Sequence, residues 1–113
     1  MPNIVGVMAF NTFNKLTVQQ QIRDNLLHNY RMRSTVSKVF GTYYWNIHNL
    51  KSKKLDCLLE GVFNSLDYIT SEEELCNFLC NEAKVAFRND ELQYKFFFVE
   101  NYSDTESLLV IKA

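Results

Sequence analysis

One twelve-residue stretch constrains the fold of this chain more than any other. Residues 91–102 read ELQYKFFFVENY. At the two-residue period of a strand, one face is apolar throughout, while the opposite face begins polar and becomes apolar at Phe97. The apolar face comprises Leu92, Tyr94, Phe96 and Phe98. This pattern predicts a strand that enters at the margin of a sheet and ends covered on both sides, so the chain must build a sheet around it.

Two further segments are apolar on both faces, Ile4–Phe10 and Leu108–Ile111. Each is too short to stand as a helix and is bounded by polar turns, so each is predicted to be a buried strand. Together with residues 91–102 they indicate three adjacent strands. Neither segment is long enough to cross a bilayer, so no membrane span is expected.

Three helices are predicted between these strands. Thr17 and Gln20 fit a capping box ahead of an apolar stripe at i, i+4 spacing, which predicts a helix to about Arg33. Residues 55–66 carry the most regular helical period in the chain. A third helix follows two overlapping capping boxes, Thr70 with Glu73 or Ser71 with Glu74.

Residues 34–48 are rich in β-branched and aromatic side chains, which favours strand. Gly41-Thr42 suits a two-residue type II′ turn, because Gly is favoured at its first central position. A hairpin with strands at about 35–40 and 43–48 is therefore expected. The alternative is one long strand that bends at Gly41.

The predicted element order is β-α-β(-β)-α-α-β-β, in a single domain over residues 1–113. This order is typical of an α+β fold, a mixed sheet of four to five strands with about three helices packed on one face. The candidate topology is a ferredoxin-like βαββαβ core with an added strand.

The cysteines and histidines do not form a recognisable metal motif. The chain has three cysteines, Cys57, Cys76 and Cys80, and no signal-peptide pattern. An odd number of thiols in such a chain favours a reducing, cytoplasmic location. With His48 they would give three cysteines and one histidine, but the paired short-spaced ligands of structural zinc sites are absent. The three cysteines are interpreted as small buried hydrophobes, and neither a metal nor another cofactor is expected.

No catalytic pattern is present either. The spacing of His28 and His48 does not bring them together, and there is no phosphate-binding glycine loop, nucleophile elbow or paired metal-binding carboxylate motif. The chain is therefore expected not to be an enzyme.

Charge is divided unevenly along the chain. Residues 1–54 carry a net charge of +7 and residues 55–113 a net charge of −8. An acidic surface on a small protein can cover a basic site on a partner. Asn, Lys, Phe and Tyr are encoded by AT-rich codons, and a sequence with many such residues suits a phage or mobile element. The expected function is thus a protein-binding inhibitor, immunity protein or anti-defence protein. The candidate contact residues are Glu72, Glu73, Glu74, Asp90, Glu91, Asp104, Glu106, Tyr43 and Trp45.

The alternative function is nucleic-acid binding by the basic half. Cations interleaved with aromatic residues suit phosphate neutralisation and base stacking. The candidate residues are Arg31, Arg33, Lys38, Lys53 and Lys54. A homodimer is the third arrangement left open, because the two halves carry opposite charge and the last strand, Leu108–Ile111, would pair with a second copy if it lay at a sheet edge.

Overall fold

A computed structural model of the protein describes residues 4–11 and 13–113. It confirms an α+β fold and the order of its elements, with one short strand added between two helices. A single 3₁₀ turn covers Tyr30–Arg33. The strands and α-helices are β1 Val5–Asn11, α1 Lys15–Leu26, β2 Ser34–Val39, β3 Thr42–Ile47, α2 Lys53–Glu60, β4 Phe63–Ser65, α3 Glu72–Ala83, β5 Lys95–Val99 and β6 Glu106–Lys112.

Four of the strands form one mixed sheet in the order β1-β6-β5-β4, and β2 and β3 form a separate hairpin. Strand β6 runs antiparallel to both β1 and β5, whereas β4 runs parallel to β5. The three strands expected to be adjacent are therefore neighbours. The last strand, β6, lies between the other two and not at an edge, whereas β1 occupies an edge. The ferredoxin-like core stays a prediction.

Helices cover both faces of the sheet, and the expectation that they pack on one face is wrong. On one face α1 and α2 pack on a cluster that includes Phe96, Phe98 and Leu109. On the other face Leu75 and Phe78 of α3 pack near Val99 and Leu108. Two-sided cover explains why β5 and β6 are apolar at successive positions, since each fully buried large apolar side chain contributes about 1.5–3 kcal/mol.

A buried ion pair joins β6 to α3. Lys112 is 1% exposed, and its Nζ donates to Glu82 Oε1 at 3.1 Å and to the Val85 carbonyl at 2.7 Å. The same Nζ lies 4.8 Å from the centre of the Phe87 ring. All of these partners come from α3 or the segment after it, so the charge of Lys112 is held on the α3 side of the sheet.

The helix starts follow local capping chemistry, with one correction. Asn14 caps α1 by accepting hydrogen bonds from the amides of Leu16 and Thr17, so the expected Thr17 box is wrong. The helix also ends earlier than expected, at Leu26. Ser71 caps α3 by accepting from the Glu74 amide, which confirms the cap of one of its two predicted boxes, while the Glu74 carboxylate accepts from the Ser71 hydroxyl.

The β2–β3 hairpin is confirmed, but its turn lies one residue earlier than expected. Val39 pairs with Thr42, so Phe40 and Gly41 are the two central residues. Their φ angles are 49° and 80°. Two positive φ values indicate a type I′ turn, which matches the twist of the flanking strands better than most alternatives. Phe40 is the residue with a Cβ that must adopt this left-handed conformation.

None of the described helices has both the length and the apolar character needed to cross a membrane.

Candidate functional site

An apolar groove of about 510 Å³ lies between α1 and the β1 side of the sheet. We refer to it as the α1 groove. Ligand sites are typically concave, mostly apolar and of this order of volume. Its lining residues are Met8, Val18, Gln21, Ile22, Asn25, Leu26, Met32, Tyr94, Phe96, Leu109, Ile111 and Ala113.

The groove lies where the apolar face of α1 stands over the β1 side of the sheet. Val18, Ile22 and Leu26 recur every four residues and turn one face of α1 toward the sheet. Gly6 pairs with Ile111 on the same side of the sheet, and a Cβ placed on Gly6 would meet no atom within 4 Å. The sheet margin beside the groove is therefore open at Gly6, which does not itself line the groove.

The groove contains few polar groups, and two of them are engaged. The Asn25 amide donates to the Gln21 carbonyl at 2.9 Å, and the Tyr94 hydroxyl donates to the Met32 carbonyl at 2.7 Å. Burial raises the pKa of Tyr94 to about 12, so its hydroxyl stays protonated at neutral pH. The groove thus suits an apolar ligand, with Gln21 and Tyr94 able to contact a polar atom at its margin.

A smaller recess of about 180 Å³ lies on the other side of Tyr94, and its charges are already paired. Arg88 lies 3.1 Å from Asp90, and Lys95 lies 3.8 Å from Glu91. Its volume is below the usual range for ligand sites. The α1 groove is therefore the better candidate.

The structure separates the acidic contact residues predicted from sequence into two groups. Asp90 and Glu91 precede β5, whereas Asp104 and Glu106 follow it, so five strand residues lie between them, roughly 16 Å at 3.3 Å per residue. The first turn of α3, with Glu72, Glu73 and Glu74, lies toward the second group, because the far end of α3 reaches Lys112. Tyr43 and Trp45 lie on β3, whose neighbour β2 contacts the Asn89 carbonyl. Their role in partner binding stays a prediction.

The residues predicted for nucleic-acid binding lie in three different environments. Arg31 lies 5.0 Å from the Trp45 ring, and Lys38 lies 5.4 Å from the Tyr43 ring, so these cations already cover the aromatic faces. Arg33 is buried, its Nε is without a hydrogen-bond partner among the described residues, and its guanidinium lies against Tyr30. Lys53 and Lys54 begin α2. Nucleic-acid contact by these residues stays a prediction.

The cysteines are exposed, so interpreting them as buried hydrophobes is wrong. Over residues 4–11 and 13–113, no group of three or more His, Cys, Asp or Glu side chains is arranged to hold a metal ion. His48 lies at the base of the hairpin with its Nε2 3.0 Å from Thr35 Oγ1. Burial, and secondarily Lys54, lowers the pKa of His48. His48 does not line the α1 groove.

Sequence reasoning missed the α1 groove. Its signal was the apolar stripe of α1, which was interpreted as a helix face packed on the core. Only the folded chain brings this stripe opposite Met8, Leu109 and Ile111 with space between them.

No protein-family model and no curated protein sequence matches the chain. Among solved structures, it matches the wax ester synthase/diacylglycerol acyltransferase from Marinobacter aquaeolei VT8, with a TM-score of 0.67 and 16% identity over 98% of this chain and 28% of that one. It also matches the SgcC5 protein from Streptomyces globisporus, with a TM-score of 0.66 and 16% identity over 99% of this chain and 25% of that one.

A third match is the starter condensation domain of rhizomide synthetase RzmA, with a TM-score of 0.69 and 6% identity over 97% of this chain and 24% of that one. The chain thus shares a fold with these proteins and spans about a quarter of their length. The three include synthase and synthetase enzymes.

These matches correct the function expected from sequence. The expectation of a non-enzymatic inhibitor or immunity protein of a phage or mobile element is contradicted, because the solved structures that the chain matches include condensation domains and a wax ester synthase/diacylglycerol acyltransferase. The nucleic-acid alternative to that function receives no support from them either. Charge asymmetry was the wrong guide, since it describes the surface and not the fold.

Proposed function

We propose that this chain forms the substrate-binding lobe of an enzyme of the condensation-domain and acyltransferase type, and that the α1 groove holds the apolar part of an acyl substrate. One observation carries this function: an apolar groove of ligand size lies in a fold that is shared with a wax ester synthase/diacylglycerol acyltransferase and a condensation domain. Acyl transfer is a reaction in which a long apolar group needs such a groove.

The physical role of the groove would be to hold the acyl chain so that its carbonyl is correctly placed. Each methylene removed from water contributes about 0.8 kcal/mol, and binding energy gained away from the reacting atoms can be used to orient them. The side-chain amide of Gln21 is the donor at the groove that can face the carbonyl end, because the Tyr94 hydroxyl already donates its proton to Met32. We assign to this chain the binding of the acyl group and not the chemical step.

The experiment is calorimetric titration of the protein with saturated fatty acids of increasing length. Affinity is expected to rise roughly fourfold per methylene until the groove is filled, and then to stop rising. Ile22→Glu places a carboxylate inside the groove and should abolish binding. Thr17→Glu adds the same charge on an exposed position of α1 and should leave binding unchanged.

Three outcomes would contradict this function. They are no binding by the wild-type protein, affinity that does not depend on chain length, and equal loss of binding in the two glutamate variants. Circular dichroism of both variants separates loss of the groove from loss of the fold.

We also place this enzyme in the cytoplasm. Its three cysteines are all unpaired and exposed, and exposed thiols persist in a reducing compartment. Fractionation of host cells, with immunodetection of the protein in the cytosolic fraction, tests this location.

A further inference from the structure

Strand β1 presents an unpaired row of backbone groups at the edge of the sheet. Ile4 and Ala113 exchange two hydrogen bonds, 2.8 and 2.9 Å long, so the even-numbered residues of β1 bond inward to β6. The backbone groups of the alternate residues point outward, away from β6. Across the described part of the chain no hydrogen bond reaches them. They belong to Val5, Val7, Ala9 and Asn11.

This edge lacks the usual features that prevent strand pairing. Natural sheets protect their edges with charged residues, proline, bulges or a covering element. From Ile4 to Asn14 the sequence has no charged residue and no proline, and the seven pairs with β6 run in continuous register without a bulge. Val7, Met8 and Phe10 are each about 40% exposed. Such an edge is a template for another strand.

The strand is also complementary to itself when two copies run antiparallel about a two-fold axis at Met8. In this register Val5 faces Asn11 of the second copy and Val7 faces its Ala9. All outward backbone groups then find partners, because only outward residues meet outward residues. Registers centred on Val7 or Ala9 leave some of these groups unpaired.

The same register matches side chains on the groove side of the sheet. Gly6 falls directly opposite Phe10 of the second copy, and the space above Gly6 is empty. An aromatic ring placed across from a strand glycine covers its backbone and fills that space. Phe10 is 42% exposed in a single copy and would be covered in the pair.

We propose that β1 is a self-association surface that pairs antiparallel with β1 of a second copy and joins the two sheets. A two-fold pairing of this kind uses the same surface on both copies and closes at a dimer, so it does not propagate into fibres. The edge is free of charged side chains, so the two copies approach it without repulsion. This inference does not depend on the acyl-binding function.

The test is analytical ultracentrifugation of the wild-type protein and three variants over a range of concentrations. Ala9→Pro removes one outward N–H and no inward bond, and it should weaken the dimer at least tenfold. Ala9→Val keeps the N–H and should leave the dimer intact. Gly6→Val fills the space opposite Phe10 without a clash inside one copy, so it should fold normally and weaken the dimer.

Salt dependence distinguishes this surface from association through the oppositely charged halves of the chain. Pairing through the uncharged β1 should change less than twofold between low and high salt, whereas attraction between charged halves should weaken steeply. A monomer at every concentration would overturn the inference. A dimer that tolerates Ala9→Pro, or one that high salt disperses, would overturn it equally, as would pairing with a foreign strand in place of a second copy.

Discussion

The central sheet and the β2–β3 hairpin contain similar residues, but these residues are buried in the sheet and exposed in the hairpin. In β5, Phe96, Phe97 and Phe98 are at most 6% exposed. In β3, Tyr43, Tyr44 and Trp45 are 48–59% exposed. Both strands carry three consecutive aromatic residues, so aromatic content alone does not decide burial. The difference is that α-helices lie on both faces of β5, whereas neither apolar cluster of the described residues includes a residue of the hairpin.

The two regions therefore stabilise their aromatic residues differently. The rings of the sheet contact other rings, as Phe78 and Phe97 do with centroids 5.0 Å apart. The rings of the hairpin contact cations, Arg31 on Trp45 and Lys38 on Tyr43. Ring packing within a core removes large apolar surfaces from water, while an exposed cation–ring contact contributes only about 0.5–1 kcal/mol.

The largest expected contrast is between Phe98→Ala and Trp45→Ala. Phe98 is 1% exposed and packs near Phe13 and Phe63, so its truncation should lower the free energy of unfolding by about 3–5 kcal/mol. Trp45→Ala should cost about 1 kcal/mol or less. Urea unfolding followed by circular dichroism measures both. Equal losses would mean that the hairpin belongs to the same core as the sheet.

A smaller effect is expected from alkaline pH at the point where the two regions meet, because the hydroxyl of Tyr94 bonds to Met32 beside the hairpin base. The pKa of Tyr94 is raised from 10.0 to about 12 by burial, so the folded state holds its proton more tightly than the unfolded state. The stability that this contributes is present below pH 10 and is lost as the pH rises toward 12.

Unfolding measured across this alkaline range should therefore show a downward slope in stability. Tyr94→Phe should flatten that slope and lower stability at neutral pH by about 1 kcal/mol through the lost hydrogen bond. An unchanged slope in the variant would assign the titration to a different group.

The smallest change in stability is expected at the hairpin tip, and there the substitution should stabilise the protein and not destabilise it. Phe40 is fully exposed with a φ of 49°, a conformation that Asn adopts more readily than Phe. Phe40→Asn should therefore stabilise the protein by about 0.5–1 kcal/mol. Differential scanning calorimetry should show a higher Tm. A lower Tm would indicate that the Phe40 ring makes a stabilising contact in solution.

Much of the fold followed from local patterns in the sequence. The period-two pattern around Phe96 identified β5, and the Ser71–Glu74 box identified the start of α3. The strand β4 was missed because Phe63 continues the helical spacing that begins at Leu55, and only pairing with β5 makes it a strand. Cover on both faces was missed for a related reason: it depends on which side of the sheet each helix crosses.

The candidate site was harder to predict than the fold. The α1 groove combines residues from α1, β1, β5 and β6, which meet only in the folded chain. It carries no spacing motif, because an apolar groove needs shape and not a particular set of functional groups. The charge division of the sequence was conspicuous by comparison, and it led to a function that the matched synthase and condensation-domain structures contradict.

The ion pair between Lys112 and Glu82 also has a consequence for strand register. Neighbouring residues of β6 point to opposite faces of the sheet, so a slip by one residue would move the charge of Lys112 from α3 into the apolar cluster under α1 and α2. Uncompensated burial of a charge costs several kcal/mol. Leu108 to Ile111 are apolar at every position and would tolerate that slip by themselves. A single lysine at the end of the strand therefore selects one alignment of an otherwise ambiguous sequence.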